Sequence, residues 1–350
     1  MGELVRSNNP KVSILMPVYN VASYVHEAIT SILNQTYPDF ELLIINDGST
    51  DSTRDIVLKF KDPRIHFMEN EHNIGLANSL NKGIVLAKGE YIARMDGDDI
   101  SLPHRLEKQV AVLDQHPDID VCGAGYRFFG AKNATVINPE QHEAIKAGLL
   151  FGCCVTIPLY RKQSLLKAHL QYEQAFFPAE DYRFWTQCVM KLTLYNIPET
   201  LFLYRMHATQ VSETMMNQPQ MSDKVRSLYF KSLFPSASKE MAHEFITTFA
   251  GKALITHPKD VAFYDEWANR LLEINHAHAL VNPVALKKQL HNHIRGKIRN
   301  FVVESWFVSH YSIKRYLLLL FSGIYFRLSL KFGIKLLIKS ILNKKTKTND

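Results

Sequence analysis

The chain has 350 residues, 46% of them hydrophobic and 21% charged, which fits about two globular domains and excludes wholesale disorder, collagen-like repeats and a pure coiled coil. Its four cysteines form no CxxC pair, so a reducing, cytoplasmic compartment is expected rather than a disulfide scaffold. The net charge of +7 is concentrated in 311–350, which carry nine Lys or Arg and one Asp. The other residues sum to −1, so a nucleic-acid-binding face spread over the fold is not expected.

Strand-like and helix-like stretches alternate along roughly the first 200 residues. Short apolar runs predict strands at 12–18, 40–45, 64–68, 91–95, 121–126 and 200–204. Apolar residues at helical spacing predict helices near 22–33, 75–87 and 103–115, and another after 178. A further helix, which Ser49, Thr50 or Asp51 could cap, is predicted to carry Ile56, Val57 and Phe60. The alternation predicts an α/β fold with a mostly parallel central sheet flanked by helices.

The pattern changes beyond about residue 215. Residues 217–223 (NQPQMSD) are typical of a linker, and helical spacing dominates from there to about 310. The sequence therefore predicts three parts: an α/β domain at 1–215, a helical region at 216–310 and a basic tail at 311–350.

The tail combines basic, aromatic and apolar residues. Arg327, Lys331, Lys335 and Lys339 are spaced by four, which places them along one stripe of a predicted helix. The longest apolar run, 316–326, is shorter than the roughly 20 residues that a membrane-spanning helix needs. We expect the tail to lie at a membrane–water interface. The alternative is a helix packed on the protein with solvated lysines.

Two acidic motifs follow predicted strands. Asp47, in IINDGSTD, ends the second strand, where its carboxylate could accept a hydrogen bond from a nucleotide base or ribose, or could simply belong to a turn. The sequence MDGDD at 95–99 places three carboxylates within four positions after the fourth strand. Such a cluster is most easily kept together by a hard cation such as Mg²⁺ or Mn²⁺, the alternative being a solvated acidic turn.

Two later motifs carry further candidates. Glu180 and Asp181 stand at a predicted helix start, where an ionised carboxylate is favoured and could take a proton from a sugar hydroxyl. Helix capping is the alternative for this pair. Arg205 and His207 follow the 200–204 strand and could contact a diphosphate or a metal, or could be ordinary surface residues.

Together these motifs resemble the family 2 glycosyltransferases, which have the GT-A type of Rossmann-like fold. Seven segments occur in the family's order and spacing over about 10–215. They are MPVYN (16–20), NDGSTD (46–51), NIGL (73–76) with Asn81, GEYI (89–92), MDGDDISLPHRLEKQ (95–109), AEDYRFW (179–185) and YRMHATQVS (204–212). The resemblance implies that 1–215 is a GT-A catalytic domain that binds a nucleotide-sugar.

The resemblance also implies roles for individual residues. The nucleotide-sugar pocket would include Pro17, Tyr19, Asn20, Asp47, Asn73, Gly75, Asn81, Arg94, Asp96 and Arg205. Within it, Asp47 would lie near the base and Asp96 near the ribose. Asp98 would bind a divalent metal, Mn²⁺ or Mg²⁺, with Asp96 and His207 as further candidate ligands. Asp181 would be the catalytic base, with Glu180 beside it.

The implied reaction is inverting transfer of a sugar, with a UDP-sugar as the first choice of donor. The implied acceptor is a glycan or lipid-linked glycan at the inner face of a bacterial cell membrane, during surface-polysaccharide synthesis. One segment, 151–162 (FGCCVTIPLYRK), departs from the family pattern where the acceptor pocket is usually shaped. Its thiols, Cys153 and Cys154, are expected in the core.

Three other functions are considered. A dinucleotide-dependent oxidoreductase and a sugar nucleotidyltransferase would each be expected to have a glycine-rich turn after the first strand, and 17–22 contain no glycine. A non-catalytic nucleotide-sugar-binding protein would be expected to lack the base or the metal carboxylates, and both are present. The sequence leaves the oligomeric state open.

Overall fold

The computed structural model describes residues 9–208, 210, 214–251, 255, 260–307, 311–342 and 344. Part of the 204–212 motif, at 209, 211 and 212, lies outside the described residues. The chain divides into two compact units, Met1–Arg226 and Ser227–Asp350. The finer division of the second part at residue 310 stays a prediction.

The first unit is built on a nine-stranded mixed sheet in the described part of the chain. Its strands are β1 Val12–Val18, β2 Phe40–Asn46, β3 Ile65–Glu69, β4 Tyr91–Arg94, β5 Ile100–Ser101, β6 Val121–Gly130, β7 Ala134–Val136, β8 Leu159–Arg161 and β9 Leu194–Met206. They lie in the order β3-β2-β1-β4-β8-β6-β9-β5, and β7 pairs with β6. The pairs among β1 to β4 and the β6–β9 pair are parallel, whereas β8, β5 and β7 are antiparallel to their neighbours.

Seven helices of this unit connect and cover the strands. They are α1 Val25–Leu33, α2 Thr53–Val57, α3 Leu76–Leu86, α4 Arg105–Gln115, α5 His142–Gly148, α6 Lys162–Lys167 and α7 Glu180–Cys188. β1 and β2 are buried along their whole length, which explains their continuous apolar sequences. On α1 the buried side chains recur at helical spacing and face this core. The predicted α/β class and parallel-rich sheet are confirmed.

The strand register determines where the candidate residues meet. In the parallel pairs, Val18 lies opposite Asn46, and Leu15 lies opposite Arg94. The turns that follow β1, β2 and β4 therefore leave the same carboxyl edge of the sheet, where open α/β sheets bind their ligands. These turns hold the 19–22, 47–51 and 95–99 segments.

The second unit is helical in the described residues. Together with the helix that crosses the boundary, its α-helices are α8 Gln218–Leu233, α9 Lys239–Glu244, α10 Asp260–His278, α11 Pro283–Phe301, α12 Ile313–Phe321 and α13 Leu330–Ile341. The predicted linker at 217–223 is wrong, because α8 begins at Gln218. Pro219 is accommodated in its first turn, where a backbone N–H has no helical partner. In the described part of the chain, every helix is too short or too polar to cross a bilayer.

The tail helix also differs from its prediction. The basic stripe was expected on one helix, but Arg327 lies in a short 3₁₀ turn, Tyr325–Arg327, and α13 starts only at Leu330. The Ser329 hydroxyl accepts a hydrogen bond from Phe332 N at 3.3 Å and so caps the new helix. Arg327 instead forms a two-pronged ion pair with Asp265 of α10, at 2.8 and 2.7 Å.

Candidate active site

The turns after β1 and β2 are tied together by side-chain hydrogen bonds. Asn20, whose φ is 52°, accepts from Thr50 N through Oδ1 at 2.8 Å, and its own N–H donates to Ser49 Oγ at 3.0 Å. Val21 N donates to Thr53 Oγ1 at 2.9 Å. The Asn20 side chain therefore stabilises the turn, and its predicted contact with the donor stays a prediction.

Asp47 organises the neighbouring 70–75 loop. Its carboxylate accepts hydrogen bonds from Asn70 Nδ2 at 2.8 Å, Ile74 N at 2.9 Å and Gly75 N at 2.9 Å. Asn73 Oδ1 also accepts from Gly75 N, at 3.0 Å. Asp47 is buried, so the structure shows a loop-holding role for it, and its contact with a nucleotide base stays a prediction.

Gly75 has a backbone conformation that few other residues adopt. Its φ is 92°, and a Cβ there would meet the side chain of Gln174 at 2.5 Å. Nearby, the Asn81 amide exchanges two hydrogen bonds with the backbone of Tyr172, at 2.8 and 2.9 Å. Asn81 thus fastens α3 to the segment that leads into α7, while its proposed donor contact is untested.

Two of the predicted pocket residues lie at the end of β1. Pro17 is buried within the strand, opposite Ile45 of β2. Tyr19, just beyond the strand, is 46% exposed. An exposed aromatic ring at the carboxyl edge of the sheet is available to stack on a base.

The guanidinium of Arg94 joins the MDGDD segment, 95–99, to the AEDYRFW segment, 179–185. Arg94, the last residue of β4, donates through Nε to Asp96 Oδ1 at 3.0 Å and through Nη1 to Asp181 Oδ1. Burial by itself would lower the pKa of Arg94, but the charges of Asp181 and Asp96 outweigh it and raise this pKa well above its usual value. Burial raises the pKa of Asp181, which the Arg94 charge opposes. Asp181 lies 87 residues beyond Arg94 in sequence, so this contact is long-range.

Behind Arg94 lies a buried polar pair that sequence reasoning missed. Arg105 Nη2 donates to Arg94 O at 2.7 Å and to Ile157 O at 3.3 Å. Gln109 Nε2 donates to Ile157 O at 2.9 Å and to Cys122 O at 2.7 Å. Both side chains are fully buried. The available signal was their i, i+4 spacing on the same helix face as buried Leu106, Val110 and Leu113.

Asp98 forms a pair with His207. The Oδ2 atom of Asp98 lies 3.0 Å from His207 Nε2. The ring of Tyr24 packs against the imidazole, with 4.4 Å between the two ring centroids. Burial, followed by the charge of Asp96, raises the pKa of Asp98, which the His207 hydrogen bond opposes. Two of the three predicted metal candidates, Asp98 and His207, are therefore adjacent although 109 positions separate them in sequence.

Arg205 also contacts the MDGDD segment, residues 95–99, which we name the acidic loop. Its backbone N donates to Asp99 Oδ1 and its Nε donates to Asp98 O, both at 2.7 Å. Its Nη2 donates to Glu27 of α1 at 2.5 Å, a partner that no local sequence signal indicated. Arg205 thus holds the loop in place, and its contact with a donor stays a prediction.

The described residues contain no ready-made cage of three His, Cys, Asp or Glu side chains for a metal. Mg²⁺ and chemically similar ions bound with nucleotides usually take one or two carboxylates, with phosphate oxygens and water completing the shell. Asp98 offers a partly exposed carboxylate and Asp96 lies two positions away, turned towards Arg94. These residues fit a divalent ion that is bound together with a diphosphate.

Glu180 and Asp181 form the first turn of α7, on the other side of the Arg94 bridge from Asp96. Glu180 is buried and its Oε2 has no hydrogen-bond partner among the described residues. Burial, followed by the charge of Asp181, raises the pKa of Glu180 to about 7.

The prediction of two core thiols is wrong for Cys153 and right for Cys154. Cys153 is exposed, whereas Cys154 is buried and its Sγ contacts Ile145 O of α5 at 3.6 Å.

The sequence model described as "Glycosyl transferase family 2" matches residues 13–169. An uncharacterized glycosyltransferase of Haemophilus influenzae is 35% identical over 224 residues, which cover 59% of this chain and 68% of that protein. The chain belongs to glycosyltransferase family 2. It is therefore a transferase, as its motifs predicted.

Solved structures share the fold. Residues 1–349 of TarS from S. aureus, in complex with UDP-GlcNAc, align with a TM-score of 0.59 and 17% identity, covering 87% of this chain and 95% of that one. The mannosyltransferase PcManGT from Pyrobaculum calidifontis, in complex with GDP-Man and Mn²⁺, aligns with a TM-score of 0.52 and 17% identity. The alignment covers 84% of this chain and 87% of PcManGT. The predicted GT-A type of fold is confirmed.

Proposed function

We propose that this family 2 glycosyltransferase is an inverting, metal-dependent enzyme that moves a sugar from a nucleotide-diphospho-sugar to a hydroxyl of a glycan or lipid-linked glycan. The observation that carries the proposal is the Arg94 bridge, because it brings the acidic loop and the candidate base, Asp181, to opposite sides of one guanidinium. UDP-sugar is the first choice of donor. The proposed setting is bacterial cell-surface polysaccharide synthesis.

The donor would lie along the carboxyl edge of the sheet. Tyr19 offers an exposed ring for the base, and Asp47 holds the adjacent loop, whose backbone lines the same edge. Asp98, with Asp96 and His207 nearby, would hold the divalent ion. When bound, such an ion offsets the negative charge that builds up on the departing diphosphate. The TarS complex with UDP-GlcNAc and the PcManGT complex with GDP-Man and Mn²⁺ support this arrangement by analogy of fold.

Asp181 would act on the acceptor. A general base must be ionised and within hydrogen-bond reach of the hydroxyl that it deprotonates. The Arg94 charge favours the ionised carboxylate in a site where burial disfavours it, and the carboxylate stays partly exposed. The acceptor oxygen then forms the new glycosidic bond as the bond to the diphosphate breaks. A single displacement of this kind inverts the anomeric centre.

A donor screen with and without Mn²⁺ tests this function. A ligand that binds only the folded state adds about 2.7 kcal/mol to the free energy of unfolding at a hundredfold excess over its Kd. The unfolding midpoint temperature rises as a result. We expect one nucleotide-diphospho-sugar to stabilise the chain more strongly with Mn²⁺ than without it. The anomeric configuration of the product, read by NMR, should be opposite to that of the donor. Stabilisation by no member of the panel, or a retained configuration, contradicts the proposal.

The C-terminal helices support a membrane-associated acceptor. α12 and α13 pack on their own unit through buried side chains such as Tyr316, Leu319 and Leu336. These two helices, the turn between them and the residue after α13 carry ten exposed large apolar residues: Ile313, Leu317, Leu318, Phe321, Phe326, Leu330, Ile334, Ile338, Ile341 and Leu342. We name these ten residues the outer apolar face. An exposed apolar surface of this extent favours an interaction site.

The charges beside the outer apolar face favour an anionic lipid surface as its partner. Lys314, Lys331 and Lys335 are exposed and each directly follows a residue of that face. Basic residues next to a membrane surface contribute about 1 kcal/mol each on anionic bilayers. We propose that the enzyme binds peripherally to the inner face of the cell membrane through this surface.

Substitution of two exposed phenylalanines tests the membrane proposal and leaves α12 and α13 in the protein. Phe321 and Phe326 are 87% and 80% exposed, so Phe321→Ser with Phe326→Ser leaves the buried contacts in place. Because insertion of an aromatic ring contributes about 1–2 kcal/mol, we expect binding to phosphatidylglycerol-containing vesicles to fall roughly tenfold or more. Val85→Ser, at an exposed site in the first unit, is the matched control. Vesicle binding by the double variant equal to that of the control would refute this attachment.

A further inference from the structure

We propose that Arg94 is a positioning residue for glycosyl transfer, whose guanidinium fixes the candidate base, Asp181, relative to Asp96 on the proposed donor side of the site. The inference rests on the proposed function and deepens it. The family resemblance placed Arg94 among the residues that bind the nucleotide-sugar, and the geometry points instead to a link between two parts of the protein.

The Arg94 backbone is fixed from two directions. Its N–H donates to Pro158 O at 3.2 Å, and its carbonyl accepts from the buried Arg105 at 2.7 Å. It also lies in register with Leu15 of the neighbouring central strand. A side chain that starts from so constrained a backbone can hold its partners in a defined place.

The contacts of Arg94 use the fork of its guanidinium. Nε donates to Asp96, and Nη1, on another edge of the group, donates to Asp181. Only 10% of the side chain is exposed, so water competes little for these contacts. A lysine carries one compact charge on a flexible stem and cannot reproduce two contacts in fixed directions.

Charge makes the link necessary. Asp96 and Asp181 are both acidic, and Glu180 lies beside Asp181, so these carboxylates repel one another without a cation between them. Loss of Arg94 would therefore move or turn the Asp181 carboxylate away from the acceptor hydroxyl. A misplacement of about 1 Å at a reacting group can lower the rate by about 10²-fold. The Tyr19 ring and the Asp47 loop are not contacted by Arg94, so donor affinity should change much less.

Steady-state kinetics of Arg94→Lys and Arg94→Ala test this inference. The readout is release of nucleoside diphosphate from the nucleotide-sugar that stabilises the chain most, with water as the acceptor. We expect kcat to fall by roughly 10²-fold in both variants while the donor KM changes by less than about threefold. Guanidinium ions, well below denaturing concentrations, should restore part of the rate to Arg94→Ala and none to Asp181→Asn.

Arg183→Lys is the matched control. Arg183 is on the same helix as Asp181, and its Nε pairs with Glu173 at 2.9 Å without touching the base. We expect this variant to keep the parent rate. Arg94→Lys retains the charge, so it keeps the test valid if Arg94→Ala does not fold.

Three results would overturn the inference. A raised donor KM with unchanged kcat would show that Arg94 binds the donor. Parent-like kinetics in both Arg94→Lys and Arg94→Ala would show that Arg94 does not position Asp181. An absence of rescue in a folded Arg94→Ala would exclude positioning by the guanidinium. The proposed function fails separately, if Asp181→Asn and Asp98→Asn both turn over at the parent rate.

Discussion

Replacing Asp181 with Asn should lower sugar transfer by about 10²–10⁴-fold, the usual contribution of a general base. The amide has the same shape and still offers an oxygen to Arg94, so the bridge to Asp96 can persist. It cannot take up the proton of the acceptor hydroxyl. The proposed donor site lies on the opposite side of that bridge, so stabilisation by the nucleotide-sugar should be nearly unchanged.

Donor binding and turnover are to be measured on the same preparation of Asp181→Asn. Asp55→Asn is a suitable control, since Asp55 is an exposed residue of α2 with 75% of its side chain in solvent. Loss of transfer with preserved donor stabilisation supports Asp181 as the base. Transfer above about a tenth of the parent rate would exclude that role, since a base contributes at least about 10²-fold.

Replacing Asp98 with Asn should remove most of the Mn²⁺-dependent part of donor binding. Divalent ions of this class prefer carboxylate oxygens, and an amide carries no charge to hold them. The loss should appear as a collapse of the difference between thermal shifts with and without Mn²⁺, from several degrees to nearly zero. Turnover should fall with it, because the departing diphosphate then lacks its counter-charge.

Thermal shifts of Asp98→Asn and the parent, measured with the nucleotide-sugar and a chelator, are the internal control for this prediction. Without metal, the variant and the parent should bind the nucleotide-sugar equally weakly. Asp99→Asn provides the contrast, since the Asp99 carboxylate is buried and accepts from Arg205 N. We expect Asp99→Asn to keep the Mn²⁺ effect, because its amide oxygen can still accept from Arg205 N and hold the loop. A full Mn²⁺ effect in Asp98→Asn would exclude Asp98 as a ligand.

Local sequence patterns were sufficient for the first half of the sheet. The predicted strands at 12–18, 40–45, 64–68 and 91–95 differ by no more than about one residue at either end from β1 to β4. Buried parallel strands have continuous apolar sequences, and the helices between them bury one stripe at helical spacing, so both patterns can be read along the chain.

The second half of the sheet was less readable. β6 extends to Gly130 and β9 starts at Leu194, well beyond the predicted strands, because the two pair with each other across about seventy positions. β5 and β8 have two and three residues. Their strand character comes from their neighbours in the sheet, which local propensity does not contain.

The candidate site shows the same division between local and long-range information. The motifs supplied Asp98, His207 and Asp181, and the structure brings Asp98 to His207. It also assigns Asn20, Asp47 and Asn81 to hydrogen bonds within the protein, which a sequence motif cannot distinguish from ligand contacts.

The sequence by itself determined the family, the parallel core and the set of acidic residues, since each is encoded by neighbouring residues and by spacing. Only the tertiary structure decided which of these residues meet. The Arg94 bridge, the buried Arg105 and the exposed Cys153 depend on contacts between distant segments. Such contacts depend on the packing of strands and helices, whose pairing no local pattern specifies.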